Sequence, residues 1–256
     1  MKPALWDMHV HLDFISNVPE VIRDAEAAGL GMLAVTVTPR GYEQAGQTFP
    51  GSPNVRLCPG LHPWWTADGR CGPEDAVRTA ELVRDSRYVG EIGLDFSPKH
   101  VPEGSRERQS AALEMICAAC AESSSPAAPK ILSLHAVKAA GAVLDILSRT
   151  GCLERCRCIF HWFTGSNEEL TRAIRAGCMF SVNGMMLSTR RGREYARQIP
   201  AGRLLLETDL PPGEGVPFSA GKIIEALEQT LSELSAIRGT DLRETILHNS
   251  EELLNI

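Results

Sequence analysis

The segment YVGEIGLD, residues 88–95, is a short apolar run carrying two carboxylates, Glu91 and Asp95, two steps of strand alternation apart. In an extended chain both point to the same side. Short apolar, β-branched runs flank it in both directions: residues 4–12, 31–38 and 55–61 before it, and 130–137, 158–163, 178–184 and 203–209 after it. Amphipathic stretches separate most of them. PEVIRDAEAAG has Pro19 near the first helical position and Gly29 as its stop; PEDAVRTAELVRD, ERQSAALEMICAACAE, AAGAVLDILSRTG and EELTRAIRAG read the same way. After the eighth run come SAGKIIEALEQTLSELSAIRG and DLRETILHNSEELL. Strands alternating with helices make βαβ units, a parallel sheet and right-handed crossovers. Eight such units predict a (β/α)8 TIM-type barrel, one domain over 1–256, with one or two extra C-terminal helices. The alternative is an open doubly wound sheet, but no Gly-rich phosphate turn follows the first strand. Residues 123–129, SSSPAAP, read as a helix-to-strand loop.

The ionisable residues inside these runs decide the chemistry. Asp7, His9 and His11 form D-x-H-x-H in the first strand, so the two imidazoles share a face. Glu91 stands in the fourth strand, His135 late in the fifth (ILSLHAV), His161 in the sixth (CIFHWF), and Asp209 ends the eighth (LLLETD). An unpaired charge in an apolar run is costly. Barrel enzymes carry their chemistry at the C-terminal strand ends, where residues from these five strands would meet. Four imidazoles and two carboxylates exceed the four ligands of one tetrahedral zinc. They suffice for two ions sharing a bridging carboxylate, roughly 3.5–4 Å apart, with positions left for water and substrate. Mixed N and O donors suit Mg, Mn, Zn or iron, so one or two divalent metals are expected and their identity stays open.

Composition bounds the rest. With 43% hydrophobic and 23% charged residues the chain has the makings of a sizeable core. No apolar run reaches the ~18 residues of a membrane span, and MKPALWDMHVHLDF lacks the apolar stretch of a signal peptide, so a cytoplasmic protein is expected. The net charge of −6 argues against gripping duplex DNA by charge alone, so a nucleic-acid substrate would be held locally by metals and a few arginines. Cys117 and Cys120 form a CxxC and Cys156 and Cys158 a CxC, with no second pair to complete a zinc pattern; they read as buried reduced thiols.

In chain order, DMHVHLD, GLHP, GEIGLD, the strand-five His, FHWFTGS, FSVNG and LLLETD resemble the TatD family of metal-dependent deoxyribonucleases, a branch of the amidohydrolase-like barrels. The resemblance runs from about residue 6 to the HNSEELL near the end. It implies that His9, His11, Glu91, His135, His161 and Asp209 are metal ligands, with Glu91 bridging and Asp209 taking the proton of the attacking water. It also places His62 of the G-x-HP motif against substrate or phosphate. The implied activity is hydrolysis of phosphodiesters in DNA, often from single-stranded 3′ ends, with magnesium or manganese. Two motifs depart from the family: His135 is followed by AVKAAG in place of a Ser-Arg-Asp stretch, and Asp209 by LPPGEG in place of a Ser-Pro-Tyr type sequence.

Several further residues are candidates for substrate contact. Trp64 and Trp65 after strand three, and Trp162 after strand six, would either stack on unpaired bases or pack the barrel top, whereas Phe163 reads as packing. Arg190, Arg191 and Arg193 after strand seven, and Lys99 and His100 after strand four, are either phosphate contacts or a solvated surface. Asp95 and Asp7 read as supports for a ligand or a water, Glu207 as structural, and His248 as surface. The rival functions are amide, ester or lactone hydrolysis, and a metal-free binding barrel. The first uses similar ligands; the second predicts lost ligands, and all six are present.

Overall fold

A computed structural model describes residues 3–49, 51–99, 102 and 104–255. The chain begins with strand β1 (Leu5–Val10), helix α1 (Val18–Ala27), β2 (Leu30–Val35), α2 (Pro39–Thr48), β3 (Val55–Cys58), the short α3 (Pro63–Ala67) and α4 (Pro73–Asp85). It continues through β4 (Tyr88–Asp95), α5 (Arg106–Ser123), β5 (Ile131–Val137), α6 (Ala140–Arg149), α7 (Cys152–Arg155) and β6 (Arg157–His161). Then come α8 (Asn167–Arg175), β7 (Met179–Val182), α9 (Gly184–Leu187), α10 (Arg190–Gln198), β8 (Leu204–Leu206), α11 (Ala220–Arg238) and α12 (Arg243–Leu254).

All strand pairs are parallel, in the orders β1-β2-β3 and β4-β5-β6-β7-β8. The two arcs meet at two seams. Between β3 and β4, the Gly90 amide donates to Pro59 O at 3.0 Å and the Leu61 amide to Glu91 O at 2.9 Å. Between β8 and β1, the Asp209 amide donates to His9 O and the His11 amide to Leu210 O, both at 2.9 Å. The ring of eight is thereby completed as a (β/α)8 barrel, and the open-sheet alternative is set aside. Gly60 makes one seam possible: a Cβ there would lie 2.1 Å from Thr36 O.

Strand alternation sorts the side chains into two layers. Leu132, Leu134, Phe160, Phe180, Leu204 and Leu206 face outward into the cluster covered by the helices. Ile131, Ile159, Met179 and Leu205 face inward and fill the barrel floor with Trp6, Met8 and Leu33, closed below by Leu253 and Leu254 of α12. Gly31 gives Trp6 its room, since a Cβ would lie 2.6 Å from the indole. The inward position two residues further along is polar or ionisable: Ser133 after Ile131, His161 after Ile159, Ser181 after Met179 and Glu207 after Leu205. One more step gives His135 and Asp209. The same period that builds an apolar floor therefore lifts the ionisable groups to the C-terminal rim.

All eight cysteines are buried free thiols. No helix among the described residues is long and apolar enough to cross a membrane.

Candidate metal centre

His9 lies inside β1 and His11 just beyond it, where its ring stacks on Phe14 with centroids 4.7 Å apart. Glu91 sits mid-way along β4, only 2% exposed. His135 comes from β5, His161 ends β6, and Asp209 follows β8 at a left-handed φ of 58°. These six, drawn from five strands, converge on the carboxylate of Glu91.

The two oxygens of that carboxylate face different partners. Oε2 lies 3.4 Å from Nε2 of both His9 and His11. Oε1 lies 2.7 Å from His135 Nδ1, 2.9 Å from His161 Nε2 and 3.3 Å from His62 Nε2. Asp209 closes the first side, its Oδ1 3.5 Å from His9 Nε2 and 3.4 Å from His11 Nε2. Three overlapping groups have ligand atoms within 4.8 Å of one another: His9, His11 and Glu91; His9, His161 and Asp209; His62, Glu91 and His135. His9 Nε2 is buried without a hydrogen-bond partner among the described residues, an arrangement that costs free energy unless something occupies its lone pair. A divalent cation fits this nitrogen and oxygen donor set.

The surroundings orient each ring. Ser133 Oγ is 2.8 Å from His9 Nδ1, and Asp95 Oδ2 is 3.3 Å from His135 Nε2. Asp95 also accepts the Trp64 indole N–H at 2.6 Å and the Ser97 amide at 2.7 Å. Glu207 Oε1 is 3.7 Å from His161 Nδ1, and the same carboxylate accepts from the Ser181 hydroxyl, from Asn183 Nδ2 at 2.8 Å and from the Trp162 amide at 3.1 Å. Asp7 turns to the β8 seam, accepting from the His9 and Thr208 amides and the Thr208 hydroxyl. His62 caps α3: its Nδ1 accepts the Trp64 amide at 3.1 Å, so the proton of the neutral ring sits on Nε2, facing Glu91.

Electrostatics follow from this packing. Burial alone would raise the Glu91 pKa, but the imidazoles of His62, His161 and His9 outweigh it and hold the carboxyl well below its usual range. Burial acts likewise on Asp209, and His11, His9 and His161 bring it down to about 2. Burial disfavours the His11 cation, yet Asp13, Asp209 and Glu91 carry its pKa well above the ordinary value. The same contest, won by Glu91 and Glu207, raises His161. Burial prevails at His9, whose pKa is lowered, and at His62, which falls to about 4.

A cavity of about 440 Å³ opens over this cluster, and its wall includes Trp64, Trp65, Trp162, Lys99 and Pro212. Trp64 and Trp65 are half-buried on α3, and the Arg70 guanidinium lies 3.8 Å over the Trp65 ring. Phe163 is buried among Phe160, Phe180 and Tyr195. Arg190 and Arg191 are exposed at the start of α10 and are not among the residues lining the cavity. Helix α9 intervenes after β7 and carries them away from the rim. His100 lies outside the described residues, and His248 is exposed. Sequence reading missed Ser133. Its one signal was alternation, since it stands two residues before His135 on the same inward face.

Comparison with known proteins agrees with this architecture. The family described as TatD related DNase matches residues 6–255. The 3'-5' ssDNA/RNA exonuclease TatD of Escherichia fergusonii is 28% identical over 93% of this chain and 92% of its own length. The protein of that name from Edwardsiella piscicida is 30% identical over 81% of this chain and 79% of its own. Among solved structures, the Escherichia coli TatD homologue YjjV superposes with a TM-score of 0.78 at 21% identity, covering 100% of both chains, which speaks to the fold. The chain, matched by the family over almost its whole length, belongs to the TatD related DNase family.

Proposed function

We propose that this protein hydrolyses phosphodiester bonds of DNA, working from single-stranded ends, with one or two divalent metal ions (Mg, Mn or Zn) held by His9, His11, Glu91, His135, His161 and Asp209. The observation that carries this reading is the Glu91 carboxylate, which offers one oxygen to His9 and His11 and the other to His135 and His161. Family membership supports phosphodiester hydrolysis, and the activity for which these relatives are named supports action on single strands from an end.

When bound, divalent ions supply Lewis acidity toward water and the phosphoryl oxygens. The chain's own groups do the rest. Glu91 and Asp209 stay ionised at neutral pH and balance charge inside a water-poor barrel. Asp209, with its side chain 20% exposed at the rim, accepts the proton of the attacking water. His62 is neutral at pH 7 and directs its Nε2–H toward Glu91 Oε1 at 3.3 Å, on the cavity wall where a phosphate would meet the ring. Asp95 and Ser133 hold the His135 and His9 rings in their orientations.

The test uses end-labelled single- and double-stranded DNA incubated with Mg²⁺, Mn²⁺ or EDTA, with a folded Asp209→Ala protein alongside. Stepwise shortening that needs metal and disappears in the variant is the expected result. Intact DNA with a loaded metal site would overturn it and direct attention to amides, esters and lactones.

A further inference from the structure

Three tryptophans line the cavity, and two are engaged by the protein itself. Trp64 donates its indole N–H to Asp95 at 2.6 Å and sets its ring against His62 and His135. Trp65 has the Arg70 guanidinium over one face and the edge of His62 nearby. Trp162 differs. Its indole meets no other ring and no cation, and its Nε1–H donates to no acceptor among the described residues.

Its backbone is also unusual. Trp162 sits at φ 37°, in the left-handed region that bulky residues seldom occupy. Its amide is held there by Glu207 Oε1 at 3.1 Å and Ser181 O at 3.3 Å. Glycine would make the same turn without strain, so the turn does not account for the indole. Packing accounts for part of it: the side chain rests against the main hydrophobic cluster but is only half-buried, and its remaining surface lines the cavity. A strained residue on a cavity wall whose indole has no ring, cation or acceptor partner among the described residues points to a ligand. The position is suited to one: Trp162 follows His161 directly, and Pro211 and Pro212 line the same cavity.

We propose that Trp162 is the surface on which the nucleobase at the cleaved position stacks. The inference rests on the nuclease reading of the same site and adds a specificity to it: the enzyme requires a base at the position it cuts, without choosing which base. Every base offers a π-face, so stacking is tolerant of sequence. Of the three tryptophans, Trp162 alone has no ring or cation partner among the described residues, so it carries this contact and Trp64 and Trp65 do not.

Two single-stranded oligonucleotides test this, identical except that one has natural nucleotides at both termini and the other has abasic residues there. The readout is the ratio of their kcat/KM values with Mn²⁺. The wild-type protein is expected to favour the natural end about 5- to 140-fold, the factor that corresponds to stacking one base on an aromatic ring. In Trp162→Gly, whose backbone suits the turn and whose folding is checked by its thermal midpoint, the ratio falls toward one. Trp162→Phe, which keeps a π-face, retains most of it. A ratio unchanged in Trp162→Gly, or a wild-type protein indifferent to the abasic end, sinks the stacking inference and leaves the nuclease reading standing. A wild-type protein that shortens neither oligonucleotide overturns the nuclease reading, and this inference with it.

Discussion

The hydroxyl of Ser133 on β5 lies 2.8 Å from Nδ1 of His9 on β1. For His9 Nε2 to offer a lone pair toward Glu91 and Asp209, the ring proton must sit on Nδ1, and Ser133 Oγ is the acceptor placed to hold it there. Ser133→Ala leaves a small, isosteric gap, so the fold is expected to survive while Mn²⁺ affinity drops by about 10- to 100-fold. Isothermal titration of the metal measures this. An affinity equal to wild type would remove Ser133 from the site.

Glu91→Gln keeps the shape of the side chain and removes its charge from among five imidazoles. Turnover is expected to fall by more than the ~100-fold that loss of a supporting contact costs. Metal content should fall with it, measured by elemental analysis of the purified variant. Full metal loading with full activity would contradict the shared-carboxylate reading.

The metal-free protein holds protons that metal must displace. His11 and His161 both have pKa values well above the ordinary histidine value, because neighbouring carboxylates outweigh burial. Both therefore hold their protons more tightly than an ordinary histidine, and only their deprotonated forms can ligate. The sign follows: as pH falls, protons compete better, so metal affinity weakens, and it strengthens as pH rises through and beyond neutrality. Titrations in buffers of different ionisation enthalpy should show net proton release on binding at pH 7. Binding without proton release would mean that these rings do not ligate.

Lys130 offers a test of stability remote from the site. It is 4% exposed, and its Nζ donates to the carbonyls of Val83 at 2.7 Å, Arg84 at 3.0 Å and Ser86 at 2.5 Å, closing the C-terminus of α4. Lys130→Met preserves length but strands these carbonyls, and is expected to destabilise the fold by about 2–4 kcal/mol. A urea midpoint measures this. Activity per folded molecule should be unchanged, since Lys130 stands at the opposite end of the strand from His135.

The order of strands and helices was legible in the chain because an eight-fold alternation of apolar runs and amphipathic stretches leaves few ways to bury both. The six ionisable residues were legible too, because a histidine or carboxylate inside an apolar run is costly and hence conspicuous. Ser133 and Glu207 were not legible as ring-orienting groups. A serine in a strand carries little cost, and its contact with His9 spans 124 positions of sequence, brought together only when β1 and β5 face each other across the barrel. The fate of Arg190 and Arg191 depended on α9, one extra helical turn that redirects the chain after β7. The cavity-lining ring of Trp162, the hydrogen bond that holds Trp64, the cation over Trp65, and the division of Glu91 between two sets of imidazoles were also left to the tertiary structure. Sequence period fixes which face a side chain takes within its own strand. Which groups then lie within hydrogen-bond distance is set by closure of the barrel, because closure alone determines the distances across its interior.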